Sequence, residues 1–354
     1  MEKYIKQTLL SGLVLFSAPT FAQSTDWQSL NLSLADQQVI PGYQKFAASG
    51  EALSVAGQTF CAQSDPASLN ALQENFHQAM DDWQSIQHIR FGPITYFNWQ
   101  YRLHYWPDDK GSGGRQLSMI LANQDPAIFE EDQFSRLSVG VQGFPALERL
   151  LFSEDSLNEL QADAYRCQLM SAITKNIGEI AAGLSERWQS EFRASIALTD
   201  DSGYFEDAED ASIEFVKALV ESLPLIREQK LLEPLDDDFE SWRERKAESW
   251  RSRRSLRNIK LNIAALADFF HESDLVTVKD IFVEEDADVV KGLFEKTQAL
   301  LSELPDSFSE QMIDEQGYKK VVELEQLVDA LYESVEAAVK NTDLYLGFNS
   351  LDGD

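Results

Sequence analysis

The sequence predicts an all-α protein, with two antiparallel helical-bundle domains packed against each other. Three observations lead there. Apolar residues recur at three- and four-residue steps through most of the 354-residue chain, strand-like alternation is scarce, and prolines and glycines gather at a few breaks between long periodic runs. A chain of this length makes two domains more naturally than one. The punctuation at Thr199-Asp200-Asp201-Ser202-Gly203, followed by an acidic run, marks the boundary, giving an N-terminal bundle over 23–200 and a C-terminal bundle over 201–354.

The elements follow in order. Residues 1–22 read as a signal peptide: Lys3 and Lys6 supply positive charge, residues 9–16 an apolar core, and Thr20-Phe21-Ala22 a small-residue cleavage site. That core is too short to span a bilayer, and no later apolar run is long enough, so the mature chain is expected to have no transmembrane segment. No cysteine adjoins the cleavage site, which speaks against lipidation, and the expected location is the periplasm. Residues 26–35 read as a polar lead-in. From Pro41, residues Tyr43, Phe46, Leu53, Ala56 and Phe60 mark a helix reaching Cys61, and Asp65-Pro66 caps and opens a second with Leu69, Leu72, Phe76, Met80, Trp83 and Ile86 on one face. Residues 157–196 then read as one long helix, and 213–232, 242–270, 289–301 and 318–346 as the helices of the second bundle.

Between these runs lies an aromatic stretch. Tyr96, Phe97, Trp99, Tyr101, His104, Tyr105 and Trp106 follow Arg90-Phe91-Gly92-Pro93. They read either as a wedge plugging the bundle end or as the lining of a cleft, with Arg90 and Arg102 facing the same place. The next break, Gly143-Phe144-Pro145-Ala146-Leu147-Glu148, is an irregular turn feeding a helix. Glu148 falls in the expected first turn, where the helix dipole favours a carboxylate. It reads either as a structural ion-pair partner or as a ligand-binding carboxylate beside a backbone that glycine leaves open. As a metal ligand it would suit a hard cation.

Charge narrows the function classes. With 60 acidic and 30 basic residues the chain carries −30, a field that repels nucleic acid and anionic membrane surfaces. An apolar content of 44% excludes global disorder. Against that acidity, Arg243, Arg245, Lys246, Arg251, Arg253, Arg254, Arg257 and Lys260 crowd into one segment around Trp250. They read either as docking cations paired with acids of the first half, or as an anion-binding face in which Arg251, Arg254 or Arg257 grips carboxylate or phosphate. The acidic clusters at 206–210, 236–238 and 284–286 read as solvated loops. Cys61 and Cys167 favour one disulfide in an exported chain, with two buried thiols as the alternative. His77, His88, His104 and His271 form no zinc signature and each reads as a surface or hydrogen-bonded histidine, while phosphate loops and Gly-x-Ser-x-Gly elbows are missing. Conventional hydrolases and nucleotide enzymes are disfavoured.

The 143–148 turn also resembles the Gly-x-His-x-x-Glu signature of imelysin-like periplasmic proteins, with Pro145 at the histidine position. Phe60-Cys61, Arg90-Phe91-Gly92-Pro93, Trp106-Pro107-Asp108, Tyr165-Arg166-Cys167, Glu248-Ser249-Trp250-Arg251 and the tail from Gly347 to Asp354 extend the resemblance over most of the chain. It implies two helical bundles with a site between them, export, and a link to iron acquisition. Some members are classed as metallopeptidases, a chemistry for which Pro145 lacks the imidazole. The expectation is therefore a periplasmic binding or accessory protein taking a small ligand, iron or another metal cation, or a metal complex at the domain interface, with a membrane-bound iron-uptake partner. A metal-dependent peptidase and a protein-interaction scaffold are the alternatives. The expected site comprises Gly143, Pro145, Glu148, Arg90, Arg102, Trp106, Trp250 and Arg251.

Overall fold

The structure, a computed structural model, describes residues 26–130 and 132–347. The expected signal peptide and the tail beyond Gly347 lie outside the described residues. Every regular element among the described residues is helical. The first set runs α1 (Trp27–Leu34), α2 (Ile40–Gln63), α3 (Pro66–Ile86), α4 (Trp99–Leu103), α5 (Ser112–Asn123), α6 (Phe144–Leu151), α7 (Ser156–Ala162), α8 (Ala164–Arg187) and α9 (Arg193–Ile196). The second runs α10 (Ala208–Leu225), α11 (Glu233–Leu235), α12 (Ser255–Phe270), α13 (Glu284–Glu303), α14 (Phe308–Gln311) and α15 (Glu315–Lys340). None of these helices is long and apolar enough to cross a membrane.

Local chemistry explains the best-defined boundaries. Asp65 accepts from Ser68 N at 2.8 Å while Ser68 Oγ accepts from Asp65 N at 3.1 Å, a reciprocal cap that starts α3 with Pro66 in its first turn. Ser64, at φ +49°, turns the chain back between α2 and α3. Small residues set the packing of α2 on α8: a Cβ on Gly178 would meet the Gly50 carbonyl oxygen at 2.9 Å, so these two backbones touch. Around that seam Tyr43, Phe46, Phe60, Phe76, Ile173, Ile177 and Trp188 are buried. Cys61 and Cys167 form the disulfide, Cα–Cα 5.8 Å, tying the end of α2 to the start of α8.

Three expectations are corrected. Residues 26–35 are not a polar lead-in: α1 buries Leu30, Asn31 and Leu34 against α10. Asn31 crosses to the second set, donating to Ala208 O at 2.7 Å and accepting from Ser212 Oγ at 2.8 Å. Residues 157–196 are interrupted at Asp163, whose carboxylate leaves the helical path and caps α8 by accepting from Tyr165 N and Arg166 N. Residues 242–270 are not one helix. Ser249 and Arg253 take φ +51° and +56°, so 243–254 is a compact irregular segment and α12 begins only at Ser255.

The two sets meet where α3 packs on α12. Asp81 on α3 accepts from Arg257 Nε at 2.9 Å and also receives Arg254, whose guanidinium is almost completely buried. Arg254 further donates to His77 O at 3.1 Å and Asn258 Oδ1 at 2.8 Å. These cations do the docking that one reading of the basic segment expected.

Opening the disulfide should cost about 4 kcal/mol, since it closes a loop of 106 residues in the unfolded chain. Urea unfolding with and without reductant measures this. A loss below about 1 kcal/mol would mean that the α2–α8 seam already restrains the reduced chain.

Candidate functional site

The site is built where α6, the 105–113 stretch and the 243–254 segment converge. Gly143 opens α6, but not to admit a ligand: a Cβ there would lie 2.1 Å from Leu103 O and 2.3 Å from Arg102 O, so glycine is required for the backbone of α4 to pass. Arg102 is spent on the same turn, donating to Gln142 Oε1 and Asn176 Oδ1, both at 2.7 Å. Asn176 of α8 in turn donates to Gln142 O at 2.9 Å. The turn is thus clamped between α4 and α8, and α6 leaves it with Phe144, Leu147, Leu150 and Leu151 buried.

Glu148 lies one turn further along α6 than expected, beyond the reach of a dipole argument, and only 5% exposed. Its Oε1 accepts from Ser252 N at 2.9 Å and Ser252 Oγ at 2.6 Å, while Oε2 takes no donor among the described residues. Burial raises its pKa above the ordinary carboxylate range, against the opposing pull of the Ser252 bonds and of Arg251 and Arg149.

A cleft of about 410 Å³ opens beside it, lined among others by Trp106, Pro145, Glu148, Arg149, Trp250 and Arg251. Of the expected residues, Pro145, Glu148, Trp106, Trp250 and Arg251 are brought together; Gly143, Arg102 and Arg90 are not. The residues that sequence reasoning missed are cations. Arg149 and Arg245 also line the cleft, and neither they nor Arg251 make a hydrogen bond or ion pair with protein among the described residues. Arg251 instead stacks over Trp250 at 4.2 Å, and Arg245 lies 5.6 Å from the same ring. Burial, then the neighbouring Arg149, lowers the Arg251 pKa. The other lining acids are committed or exposed: Asp108 accepts from Ser112 N, Ser112 Oγ and Gly113 N at 2.7–2.9 Å, and Asp109 faces solvent opposite Lys246. Lys246 and Arg243 pair with Glu233 and Asp236.

Behind this cleft sits a buried polar knot that the sequence did not reveal. Glu248, 2% exposed, accepts from Gln84 Nε2 at 3.0 Å, His104 Nε2 at 3.2 Å, Lys230 Nζ at 2.8 Å and Asn258 Nδ2 at 2.8 Å. His104 Nδ1 accepts from Trp83 Nε1 at 3.1 Å, which leaves the proton of a neutral ring on Nε2, facing Glu248. Burial favours protonating Glu248, but the charge of Lys230, the adjacent His104 ring and the bonds from Lys230 and Asn258 hold its pKa at about 2. Burial keeps His104 neutral, with a pKa of about 4. His77 is hydrogen-bonded as expected, whereas buried His88 has no hydrogen-bond partner among the described residues.

The sequence profile of the family described as Imelysin, peptidase M75, matches residues 39–336. A protein of Synechococcus elongatus described as iron-regulated protein A is 30% identical over 241 residues, 64% of this chain and 62% of that protein's length. In structure the chain is similar to an imelysin-like protein from Psychrobacter arcticum, with TM-score 0.74, 21% identity, and 91% and 97% of the two chains covered. It is also similar to an iron-regulated protein A precursor, described as putative, from Parabacteroides distasonis, with TM-score 0.69, 14% identity, and 88% and 94% covered. These two likenesses concern the all-α fold.

Two outcomes are expected. Glu248→Gln and Lys230→Met should each cost about 3–5 kcal/mol by stranding the other group in a buried site, and the double variant should cost clearly less than their sum. Additive losses in urea unfolding would refute the pairing. Glu148 runs the other way. Its raised pKa means that the folded state holds this proton more tightly than the unfolded chain. That stability is complete below the unfolded pKa and is lost as pH rises through the folded value. Glu148→Gln should therefore melt higher than wild type at about pH 7.5, the gap closing toward about pH 4. A lower melting point at the higher pH would mean that the ionised carboxylate's bonds to Ser252 outweigh its burial.

Proposed function

The chain belongs to the imelysin family, and on that premise we propose that it is an exported binding protein of iron acquisition. Its ligand is an anionic iron complex held between α6 and the 243–254 segment, on the way to a membrane-bound uptake partner. The observation that carries this reading is the trio Arg149, Arg245 and Arg251: three guanidiniums without hydrogen-bonding partners among the described residues, beside one open carboxylate oxygen, in a chain with twice as many acids as bases. Unpaired guanidiniums repel one another and a bare cation alike, and a carboxylate-bearing chelate relieves that repulsion. Trp250 and Trp106 offer flat apolar walls to the body of such a complex. The word iron enters from the description of the Synechococcus relative and from the family resemblance. Export is supported by the signal-like residues 1–22 and by the disulfide.

The donor set does not fit a resident metal. Among the described residues no three His, Cys, Asp or Glu side chains converge on one point, and the motif position that would bring an imidazole holds Pro145. A hydrolytic zinc needs three protein ligands and a water. Glu148 Oε2 by itself supplies one, so the peptidase reading lacks its centre.

Calorimetric titration of the mature chain tests the proposal with ferric citrate as probe against free ferrous, zinc and calcium ions. Saturable binding of the citrate complex is expected, weakened about tenfold or more in Arg149→Gln/Arg251→Gln, since each charge-assisted bond contributes about 1.5–3 kcal/mol. Binding of the free ions that survives in this variant but vanishes in Glu148→Gln would replace the anion reading with a cation site. Chelator-sensitive peptide hydrolysis would replace it with the peptidase.

A further inference from the structure

A second cavity, of about 250 Å³, lies on the other side of Trp106 and Pro107, which wall both spaces. Its remaining lining comes from α3 and the residues after it, α4 and His104, the end of α10 and the turn that follows, Glu248, and α12, and includes Trp83, Tyr101, Leu225, Ile226 and Leu266 as apolar surface. The charges do not cancel. Lys230 and Glu248 neutralise each other in the knot described above, and both Glu248 oxygens are occupied. His104 is held neutral. Arg90 remains. With the Gln100 amide oxygen turned toward it, Gln100 accepts from Arg90 Nη2 at 2.6 Å and Nε at 3.3 Å, and no carboxylate pairs with this guanidinium among the described residues. A half-buried guanidinium facing one neutral amide has donors to spare. His88, 7% exposed, contributes an imidazole without a hydrogen-bond partner to the same wall, where it also borders a depression beside Asp268.

We propose that this cavity is a separate binding site for a small organic monocarboxylate with an apolar or aromatic body, the carboxylate held by Arg90 and the body packed among Trp83, Trp106 and Leu266. Glu221 acts on Arg90 through space without forming an ion pair among the described residues, so one guanidinium with free donors selects one carboxylate. The volume falls just under the roughly 300 Å³ at which drug-sized pockets begin, so the ligand is small. Apolar walls on several sides reward a hydrophobic body over a second charge. The site stands independently of the basic cleft, because none of Arg149, Arg245 and Arg251 lines it.

Calorimetry on the full mature chain with phenylacetate as probe, and its neutral isostere phenylacetamide as control, tests the assignment. One-to-one binding of phenylacetate with Kd on the order of 1 mM or tighter is expected. Phenylacetamide should bind about tenfold more weakly, and Arg90→Gln should lose about tenfold in phenylacetate affinity, each consistent with one charge-assisted contact. Arg90→Lys, which keeps the charge but not the fork, should retain part of it and guards against a folding defect in the first variant. Arg149→Gln/Arg251→Gln should bind phenylacetate as wild type does, even though its ferric citrate binding is weakened. Absence of saturable phenylacetate binding overturns the proposal. So does equal affinity for acid and amide, or binding that disappears with Arg149 and Arg251 and survives without Arg90.

Discussion

The buried carboxylate of Glu248 is the constraint on which the rest of the site depends. It draws donors from four places in the chain: Gln84 of α3, His104 after α4, Lys230 after α10, and Asn258 of α12. Ionising an acid with 2% exposure is unfavourable unless each lone pair is met, and here each oxygen has two donors. Satisfying Glu248 therefore fixes the positions of the elements that supply those donors. It also anchors an irregular segment that has no helix to hold its shape. Ser249, Trp250, Arg251 and Ser252 follow Glu248 directly, so the knot behind the cleft sets the register of the residues that face it.

The eight cations of the 243–260 segment divide by what they meet. Arg254 and Arg257 find Asp81 on α3, Lys260 finds Asp306 at 3.0 Å, and Arg253 finds Glu310 at 2.9 Å. These pairs are spent within the protein: the two to Asp81 bring the helical sets together, and the other two tie the second set to itself. Arg245 and Arg251 lie against the Trp250 ring and make no hydrogen bond or ion pair among the described residues. The docking reading of the basic segment is thus met by Arg254 and Arg257, while Arg245 and Arg251 are left for the anion-binding reading proposed above. The irregular backbone separates them: with φ positive at Ser249 and Arg253, neighbouring side chains leave in directions that a continuous helix would not allow.

The long amphipathic helices were legible because burial repeats at the helical period. The stripe Val321, Leu324, Val328, Leu331, Val335 and Ala338 in α15 is buried as that period requires. The 243–254 segment was not legible, since no glycine or proline announces its left-handed residues and Ala247, Trp250 and Arg254 mimic helical spacing. Nor was α1, whose buried face includes an asparagine that reads as polar until Ala208 and Ser212 are seen to satisfy it. At the cleft, Pro145, Glu148, Trp106, Trp250 and Arg251 came from local motifs. Arg149 adjoins Glu148 in sequence, but only folding shows that it makes no hydrogen bond or ion pair among the described residues. Glu248 and Lys230 are separated by 18 positions and carry no motif that distinguishes them from surface charges. Gly143 was noticed for the wrong reason: its missing side chain serves the passage of residues 102 and 103, a long-range contact that a sequence does not display.

A carboxylate in a site rich in guanidiniums would oppose an incoming anion, and the contrast between the two buried glutamates resolves the difficulty. Glu248 is met by a buried ammonium and three neutral donors, and stays charged. Glu148 is hydrogen-bonded only by Ser252 among the described residues, and that neutral partner, even with the pull of Arg251 and Arg149, does not fully offset burial, so its pKa rises. A group with a raised pKa gives up its negative charge more easily when another anion approaches. Under the anion reading, Glu148 can therefore accept a proton and turn from competitor to donor toward an incoming carboxylate. Its other oxygen meanwhile holds Ser252, and with it the turn that presents Trp250 and Arg251. One glutamate then shapes the binding surface without opposing the charge that the surface is built to receive.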